Sequence, residues 1–569
     1  MDRNQILSQA VIDSLIAQGQ TIVIFRDDVL RLDSWLAKHP GGSLAILHMI
    51  GRDATDEMTA YHAPATLRTM AAFRIGRKPP GLWINRTPPI RRGSLPSLDA
   101  TSHLVAEAAA AAEADVEDED QDDDDDDDDS SFSSSSSPSS SSSSTSTSLS
   151  SSSATASTSI STTNDDGLRK RKTNQDRYVE SAVQSAVDKA ISDFPSLEPA
   201  VQQKIVAEYR LLHQKVIDEG LYACPYRQYA KEMARYLTLF SASLLALHRG
   251  WYITSAFLLG LFWHQIMFTA HDAGHRAITQ IFVVDTLIGM FIADFCCGLS
   301  IGWWKSSHNV HHLVTNQPEH DPDIQNIPLF AICPSFFKSI TSTYYDNFVM
   351  VWDGAADLLV PYQKYTYYPV MAVARFNLYI LSWLHVLSSK SPSLANSKAW
   401  WIRPTEVAFM CCYWFLFGYC LLWRSLPTWT TRLAYVLVSH IVTMPLHVQI
   451  NLSHWGMSTS DLGESESFAQ RQLRTTMDIS CPPWLDFIHG GLQFQAVHHL
   501  FPRLPRHNLR RAQALVRDFC RSTGIPYSIV SFADGNRKVL GRLRDVSDQL
   551  ALLADCQKSM AESGVYELH

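Results

Sequence analysis

The 569-residue chain lacks the features of a disulfide-stabilised or secreted protein. Its ten cysteines show no CxxC spacing, and Cys411, Cys412 and Cys420 lie in apolar runs, which indicates reduced, buried thiols. The stretch from Met1 to Gln20 has no basic segment followed by an apolar core, so we expect no cleaved signal peptide. If the chain enters a membrane, it must do so through internal segments.

The negative charge is confined to one short run. Thirteen Asp and Glu residues lie between Asp115 and Asp129, and without them the formal charge of −9 becomes slightly positive. A serine-dominated tract follows from Ser130 to Thr163, and neither stretch can bury enough apolar surface to fold. We therefore predict a disordered linker at residues 85–175, which would let the domain before it swing over the domain after it. No nucleic-acid partner is expected.

The remaining sequence predicts a small α+β domain before the linker and an all-α, multi-span membrane domain after it. The small domain is expected because an apolar strand at Thr21–Phe25 is followed by a Pro-Gly-Gly turn and short helical patterns. The predicted boundaries are 1–84 for the small domain, 176–235 for amphipathic juxtamembrane helices, 236–530 for the membrane domain and 531–569 for a cytosolic tail.

Apolar segments of the membrane domain pair into two helical hairpins with Trp and Tyr near their ends, as at membrane interfaces. The first hairpin joins Tyr236–Leu247 to Trp251–Ala270, and the second joins Val407–Trp423 to Leu433–Asn451. Two further apolar segments, Ile281–Trp304 and Tyr367–Val386, contain ionisable residues. Such residues are unfavourable at the bilayer centre, so the sequence does not decide whether either segment crosses the membrane.

Three clusters rich in histidine lie beside these segments: His271 and His275; His308, His311 and His312; and Gln495, His498 and His499. On a helix, the spacing places each cluster on one face. Neutral imidazole suits iron, zinc and copper, and seven imidazoles exceed what one four-coordinate ion needs. The sequence therefore predicts a dinuclear metal centre with open positions.

Clusters that share one metal centre must face one compartment. This requires an even number of membrane crossings between His275 and Gln495, which one hairpin supplies. Lysine and arginine residues near the clusters place that compartment in the cytosol.

The small domain carries its own pair of histidines. His39 begins a His-Pro-Gly-Gly sequence, and His62 follows 23 residues later. Two axial histidines saturate haem iron and suit electron transfer rather than oxygen binding. We predict that His39 and His62 are haem ligands.

Both halves of the chain resemble known families. Ile22–Gly81 resembles cytochrome b5, and His39 and His62 match its two haem ligands. Tyr222–Ile529 resembles the membrane-bound histidine-box desaturases and hydroxylases through its HxxxH, HxxHH and QxxHH boxes. Glutamine at position 495, together with an N-terminal cytochrome b5 domain, marks the front-end branch. Three further strings resemble fungal Δ8-sphingolipid desaturases: Gly298 to Lys305, Asp321 to Gln325 and Leu500 to Asn508.

The resemblance implies an oxidoreductase with haem b and two iron ions, with O2 as co-substrate. It implies a Δ8 double bond introduced into the sphingoid base of ceramide, with NADH acting through a cytochrome b5 reductase. The expected location is the endoplasmic reticulum membrane, with haem and histidine boxes on the cytosolic side.

A further metal ligand is implied between the second and third boxes. We choose His454 over His447, and we expect Gln495 to orient a histidine or a water. His320 and His507 are expected at the edge of the site or the surface, and His264 in packing.

Three alternative functions stay open. The same di-metal site would serve a front-end fatty acyl desaturase or a lipid hydroxylase. A haem- or metal-sensing membrane protein without catalysis is the third.

Overall fold

The computed structural model describes residues 3–85, 163–388 and 399–562. Most of the predicted linker therefore lies outside the described residues. From Thr163 the chain forms a helix, so the linker predicted to reach residue 175 meets regular structure earlier.

The N-terminal domain has a three-stranded antiparallel sheet in the order β1–β2–β3. Ile22 pairs with Arg31, and Asp28 pairs with Arg77. The predicted α+β class is confirmed, and the strand predicted at Thr21–Phe25 is β1. Its elements are α1 Gln9–Ala17, β1 Ile22–Phe25, β2 Asp28–Arg31, α2 Asp33–Leu36, α3 Ser43–Leu47, α4 Thr55–Tyr61, α5 Pro64–Thr69 and β3 Arg74–Arg77.

The second part is mainly helical, as predicted. Its helices are α6 Thr163–Asp193, α7 Pro199–Asp218, α8 Tyr226–His248, α9 Tyr252–Gly274, α10 Phe282–Met290, α11 Ile301–Leu313, α12 Gly354–Leu359, α13 Gln363–Leu387, α14 Ile402–Trp414, α15 Trp429–Ile441, α16 Met444–Trp455, α17 Phe468–Thr475, α18 Asp486–His489, α19 Gln495–Leu500, α20 Leu509–Thr523 and α21 Phe532–Glu562. Two short two-stranded sheets join β4 Ile340–Ser342 to β5 Phe348–Met350, and β6 Asp478–Ser480 to β7 Ile529–Ser531. π-Helical turns extend α10 to Cys296 and α14 to Ser425.

In the described parts of the chain, four helical segments are long and apolar enough to cross a membrane, or five if the bent pair Phe282–Cys296 and Ile301–Leu313 is one span. The four are Tyr252–Gly274, Gly354–Leu387, Ile402–Ser425 and Trp429–Trp455. The second predicted hairpin is confirmed by the last two. The first predicted hairpin differs, because only its second helix is among the four. Its first helix, α8, begins ten residues earlier than predicted and carries Arg227, Lys231, Glu232 and Arg235 in its first half.

The even number of crossings expected between His275 and Gln495 stays a prediction. Three of the four candidate spans lie between these residues, and the bent pair Phe282–Cys296 and Ile301–Leu313 adds a fourth if it counts as one span. One of the three, Gly354–Leu387, contains the segment whose mid-run arginine left it open from sequence. Its Arg375 is buried against Tyr379 and the carbonyl oxygen of Cys297.

A sharp bend delivers the second histidine cluster. Helix α10 and its π-turn end at Cys296, and α11 leaves at an angle of 116° to them. Gly298 lies in the bend with φ +71°, and a Cβ there would lie 2.3 Å from the ring of Tyr413. Ser300 caps α11 by accepting a hydrogen bond from the Trp303 amide at 2.9 Å. The apolar segment predicted at Ile281–Trp304 is thus broken in two.

The predicted C-terminal tail, residues 531–569, is helical over most of its described part, from Phe532 to Glu562. Helix α21 packs against α13 and α16. Val539, Leu543 and Val546 on this helix are buried.

Candidate di-metal and haem sites

The first cluster ends helix α9. His271 and His275 lie one turn apart, with ring centres 4.8 Å from each other. Between them, Gly274 has no room for a side chain, because a Cβ would lie 2.2 Å from the indole of Trp304 on α11. This close approach lets the first two clusters meet.

The second cluster lies on α11 and faces the first. The ring of His308 lies 5.3 Å from that of His271 and 5.0 Å from that of His275. The Nε2 atoms of His308 and His312 lie 3.0 Å apart. The ring of His311 is directed away from the first cluster and lies 4.6 Å from that of His454.

The third cluster occupies the short helix α19. The ring of His498 lies 4.7 Å from those of both His271 and His275. The ring of His499 stacks on that of His312 at 4.1 Å and lies 4.8 Å from that of His454. Gln495 begins the helix and is buried.

The histidines divide into two groups that could each hold one metal ion. In each group, the candidate ligand nitrogens lie within 4.8 Å of one another. His312 lies between the groups. The groups are His271, His275, His308 and His498, and then His311, His454 and His499.

The unsatisfied nitrogens of these rings fit a metal centre. Among the described residues, six buried ring nitrogens of the cluster have no hydrogen-bond partner: Nε2 of His271, His275, His498 and His499, and Nδ1 of His312 and His454. Buried polar atoms are normally paired, so this many orphans in one place indicate a missing binding partner. Burial and neighbouring imidazoles hold the pKa of His498 and His499 well below the usual range, which keeps both neutral and able to ligate.

His454 and His447 lie in the same helix but in different surroundings. The ring of His454 is in the second group. The Nδ1 atom of His447 lies 3.0 Å from the carbonyl oxygen of Met371, outside both groups. The structure therefore brings His454, and not His447, to the cluster.

His39 and His62, the predicted haem ligands, face each other across a cavity of about 470 Å³. Each Nδ1–H donates to a backbone carbonyl at 2.9 Å, from His39 to Gly42 and from His62 to Met58. This leaves both Nε2 atoms for a ligand between the rings. The ring centres are 6.0 Å apart, and two metal–imidazole bonds of about 2.0 Å would require a separation of about 6 Å. Burial lowers the pKa of both rings, that of His62 to about 4.

The haem cavity reaches the membrane domain. His275, Arg276, Lys305 and Arg503 line the same cavity as His39 and His62. The pocket for the haem therefore shares a wall with the first histidine cluster.

Comparison with known proteins agrees with this arrangement. Residues 249–531 match the profile "Fatty acid desaturase", and residues 11–78 match "Cytochrome b5-like Heme/Steroid binding domain". A "Delta 8-(E)-sphingolipid desaturase" of Emericella nidulans is 46% identical over 567 residues, covering 100% of this chain and 99% of that protein.

The chain belongs to the fatty acid desaturase family.

Two further relatives carry the same name and align nearly end to end. The protein of Kluyveromyces lactis is 45% identical over 98% of this chain and 95% of its own length. That of Komagataella phaffii is 43% identical over 98% of this chain and 96% of its own length. An "Acyl-lipid (9-3)-desaturase" of Borago officinalis is 36% identical over 59% of this chain and 71% of its own length. The predicted fusion of a cytochrome b5-like domain to a desaturase is thereby confirmed.

Sequence reasoning missed the groups that orient this desaturase's histidines. Asp321 accepts from Nδ1–H of His311 at 2.9 Å. Gln472 accepts from Nδ1–H of His499 at 2.9 Å and donates to the carbonyl oxygen of His312 at 2.8 Å. Asp321 begins one of the three sequence strings that resemble the fungal Δ8-sphingolipid desaturases, ten residues after His311, so its role could have been found from sequence. Gln472 lies in no recognisable motif.

A buried ionic cluster joins the first and third boxes. The Arg506 guanidinium bonds to the carboxylates of Glu232 on α8 and Asp272 on α9, and to the carbonyl oxygen of Phe268 at 3.1 Å. Asp272 is adjacent to His271 in sequence, so this arginine fixes the third-box loop against the first-box helix.

The other histidines lie outside the metal groups. His507, expected at the edge of the site or the surface, lies 3.2 Å from a carboxylate oxygen of Glu232. His320 bonds to Thr343 at 3.0 Å, and the ring of His264 packs on that of Phe268.

Proposed function

We propose that the chain introduces a Δ8 double bond into the sphingoid long-chain base of ceramide. The observation that carries this proposal is the buried, all-histidine cluster in two groups beside a bis-histidine haem cavity. The specific substrate is supported by relatives named as Δ8-sphingolipid desaturases, which align over nearly the whole chain. The acyl-lipid desaturase of Borago officinalis aligns over a little more than half of it, so the fatty acyl alternative is less well supported.

The eight histidines would hold two iron ions. His271, His275, His308 and His498 would hold one, His311, His454 and His499 the other, and His312 would lie where either ion can use it. A set of imidazole nitrogen donors suits iron, whereas harder metal ions prefer oxygen donors. The bound pair of ions would supply the power to oxidise an unactivated alkyl chain with dioxygen as co-substrate.

The surrounding protein holds this cluster in one arrangement. Asp321 and Gln472 accept from Nδ1–H of His311 and His499, which fixes both rings and leaves Nε2 of each for a metal ion. The rings of His312 and His499 are fully buried, which keeps them out of contact with bulk water. Gln495 would orient a neighbouring histidine or a water rather than bind a metal ion itself.

Electrons reach the cluster through the haem domain. His39 and His62 would hold the haem, which would supply one-electron transfer from NADH by way of a cytochrome b5 reductase. The overall reaction takes two hydrogen atoms from adjacent methylenes, and two electrons and two protons complete the conversion of O2 to two waters. The wall shared by the haem cavity and His275 supports direct transfer within one chain.

The apolar helices support a membrane location, which we propose to be the endoplasmic reticulum. Haem domain and histidine boxes would face the cytosol, because Lys305, Arg503 and Arg506 lie beside the boxes.

Heterologous expression tests this function. A fungal host without Δ8-unsaturated sphingoid bases should gain them when it expresses the chain, and mass spectrometry of hydrolysed ceramides would locate the double bond. A new double bond in the fatty acyl part alone would select the acyl desaturase instead, and a hydroxylated base would select the hydroxylase. The matched inactive control is His498→Ala.

A further inference from the structure

We propose that the haem domain is stably docked on the membrane domain in the resting protein, and that a buried ion pair between Glu57 and Arg471 fixes its orientation. The linker then serves as a tether for an already docked domain and not as a swinging arm. The inference rests on the proposed function only for its purpose, the delivery of electrons.

The docking contact has an apolar core. Val310, Leu313 and Val314 of the membrane domain belong to the same buried cluster as Val23 and Leu30 of the haem domain. Val310 and Leu313 lie on α11, the helix that carries the second histidine cluster. One helix therefore presents metal-binding rings to its own domain and an apolar surface to the haem domain. Transient electron-transfer partners usually meet through smaller and more polar contacts.

The ion pair lies inside this contact. Glu57 on α4 and Arg471 on α17 are 3.2 Å apart, and each side chain is only 5% exposed. Removing one partner would leave the other charge buried without compensation, which strongly disfavours docking. A second pair at the edge, Arg210 with Asp56 at 2.8 Å, is half exposed on the arginine side and contributes less.

The docked position places the haem ligands beside the histidine boxes. Arg503, just after the third box, donates to the carbonyl oxygen of His62 at 2.8 Å. Tyr61, next to His62, lies edge-on to the ring of His312 with the ring centres 6.0 Å apart. On the other side of the cavity, Asn309 donates to the carbonyl oxygen of Gly41 at 3.3 Å. An orientation fixed at Glu57 thus brings both haem ligands to α11 and the third box.

Cleavage of the tether tests the docking directly. A protease site is inserted between Ser130 and Thr163 of the full chain, membranes are treated with the protease and then sedimented, and haem absorbance is measured in pellet and supernatant. With the native interface we expect most of the haem to stay in the pellet after complete cleavage. Release of most of it into the supernatant would overturn the proposal.

Two variants test the ion pair separately. Arg471→Ala and the isosteric Glu57→Gln should each raise the released fraction at least tenfold. The matched control is Arg74→Ala, which removes an arginine with the same 3.2 Å spacing to its partner Asp28, but within the haem domain. Equal retention in all three would refute the role of the pair.

The haem content of the released domain shows whether it stays folded. If Arg471→Ala disturbs α17, Glu57→Gln still decides the question from the haem-domain side. Haem retention is independent of product formation, so a failure of docking is distinguishable from a failure of the proposed desaturase function.

Discussion

The contact between Asp321 and His311 gives the sharpest prediction for the metal centre. Asp321 is fully buried and accepts from Nδ1–H of His311 at 2.9 Å and from the amide of Asn316 at 2.7 Å. Asp321→Asn keeps the shape but removes the negative charge. Carboxylates that orient metal-binding histidines typically contribute tenfold to a hundredfold in metal affinity, or about 1.4–2.7 kcal/mol.

Because His311 belongs to only one of the two histidine groups, the variant should lose the metal ion of that group and keep the other. We expect non-haem iron per chain in the purified variant to fall from two towards one after dialysis against a chelator, with haem content unchanged. Asp323→Asn is the matched control. The Asp323 carboxylate lies 3.7 Å from Nδ1 of His311 and is 28% exposed, so we expect Asp323→Asn to lose less iron than Asp321→Asn. Two chelator-resistant non-haem irons in Asp321→Asn would refute the assignment of His311 to a metal group.

Three further predictions concern other contacts of the site. His454→Ala should lose iron and activity, whereas His447→Ala should retain iron. Metal analysis that finds iron lost only from His447→Ala would contradict the choice of His454 as the ligand. Arg506→Ala leaves the buried carboxylates of Glu232 and Asp272 without compensation, so about 3–5 kcal/mol of stability should be lost; an unchanged thermal midpoint would contradict this. Burial lowers the pKa of His48 to about 3, so the folded protein binds no proton there until well below the ordinary value. Its stability should therefore fall by up to about 1.4 kcal/mol per pH unit as pH drops from about 6.5 towards 3. In His48→Leu this slope should be shallower, and an identical pH profile would refute the reasoning.

The histidine boxes and the haem pair were predictable because their signals are local. Spacing of three and four residues within α9 and α11 fixes which rings share a face. The spacing of His39 and His62, within a short domain, indicates two ligands on opposite sides of one cavity.

The choice between His454 and His447 was harder. Seven residues, or about two turns, separate them on α16, so both lie on nearly the same face. Their depth along the helix decides which one reaches the cluster, and helical periodicity carries no information on depth.

The contacts between domains could not be predicted. Glu57 and Arg471 are 414 positions apart, and Gln472 reaches His499 from a helix without a recognisable motif. The expectation of a swinging domain came from linker composition, which says nothing about the surfaces that the linker joins. The number of crossings is not fixed by sequence either, because length and hydropathy make α13 a candidate span despite its buried arginine.

Coupling between NADH and the double bond tests the central claim most directly. Purified chain, cytochrome b5 reductase, NADH and ceramide are combined in vesicles, and NADH oxidation is compared with Δ8-unsaturated base formed. We predict one double bond per NADH, and no product from His39→Ala although its two non-haem irons are retained. Full Δ8 desaturation by His39→Ala in the absence of any other cytochrome would contradict it.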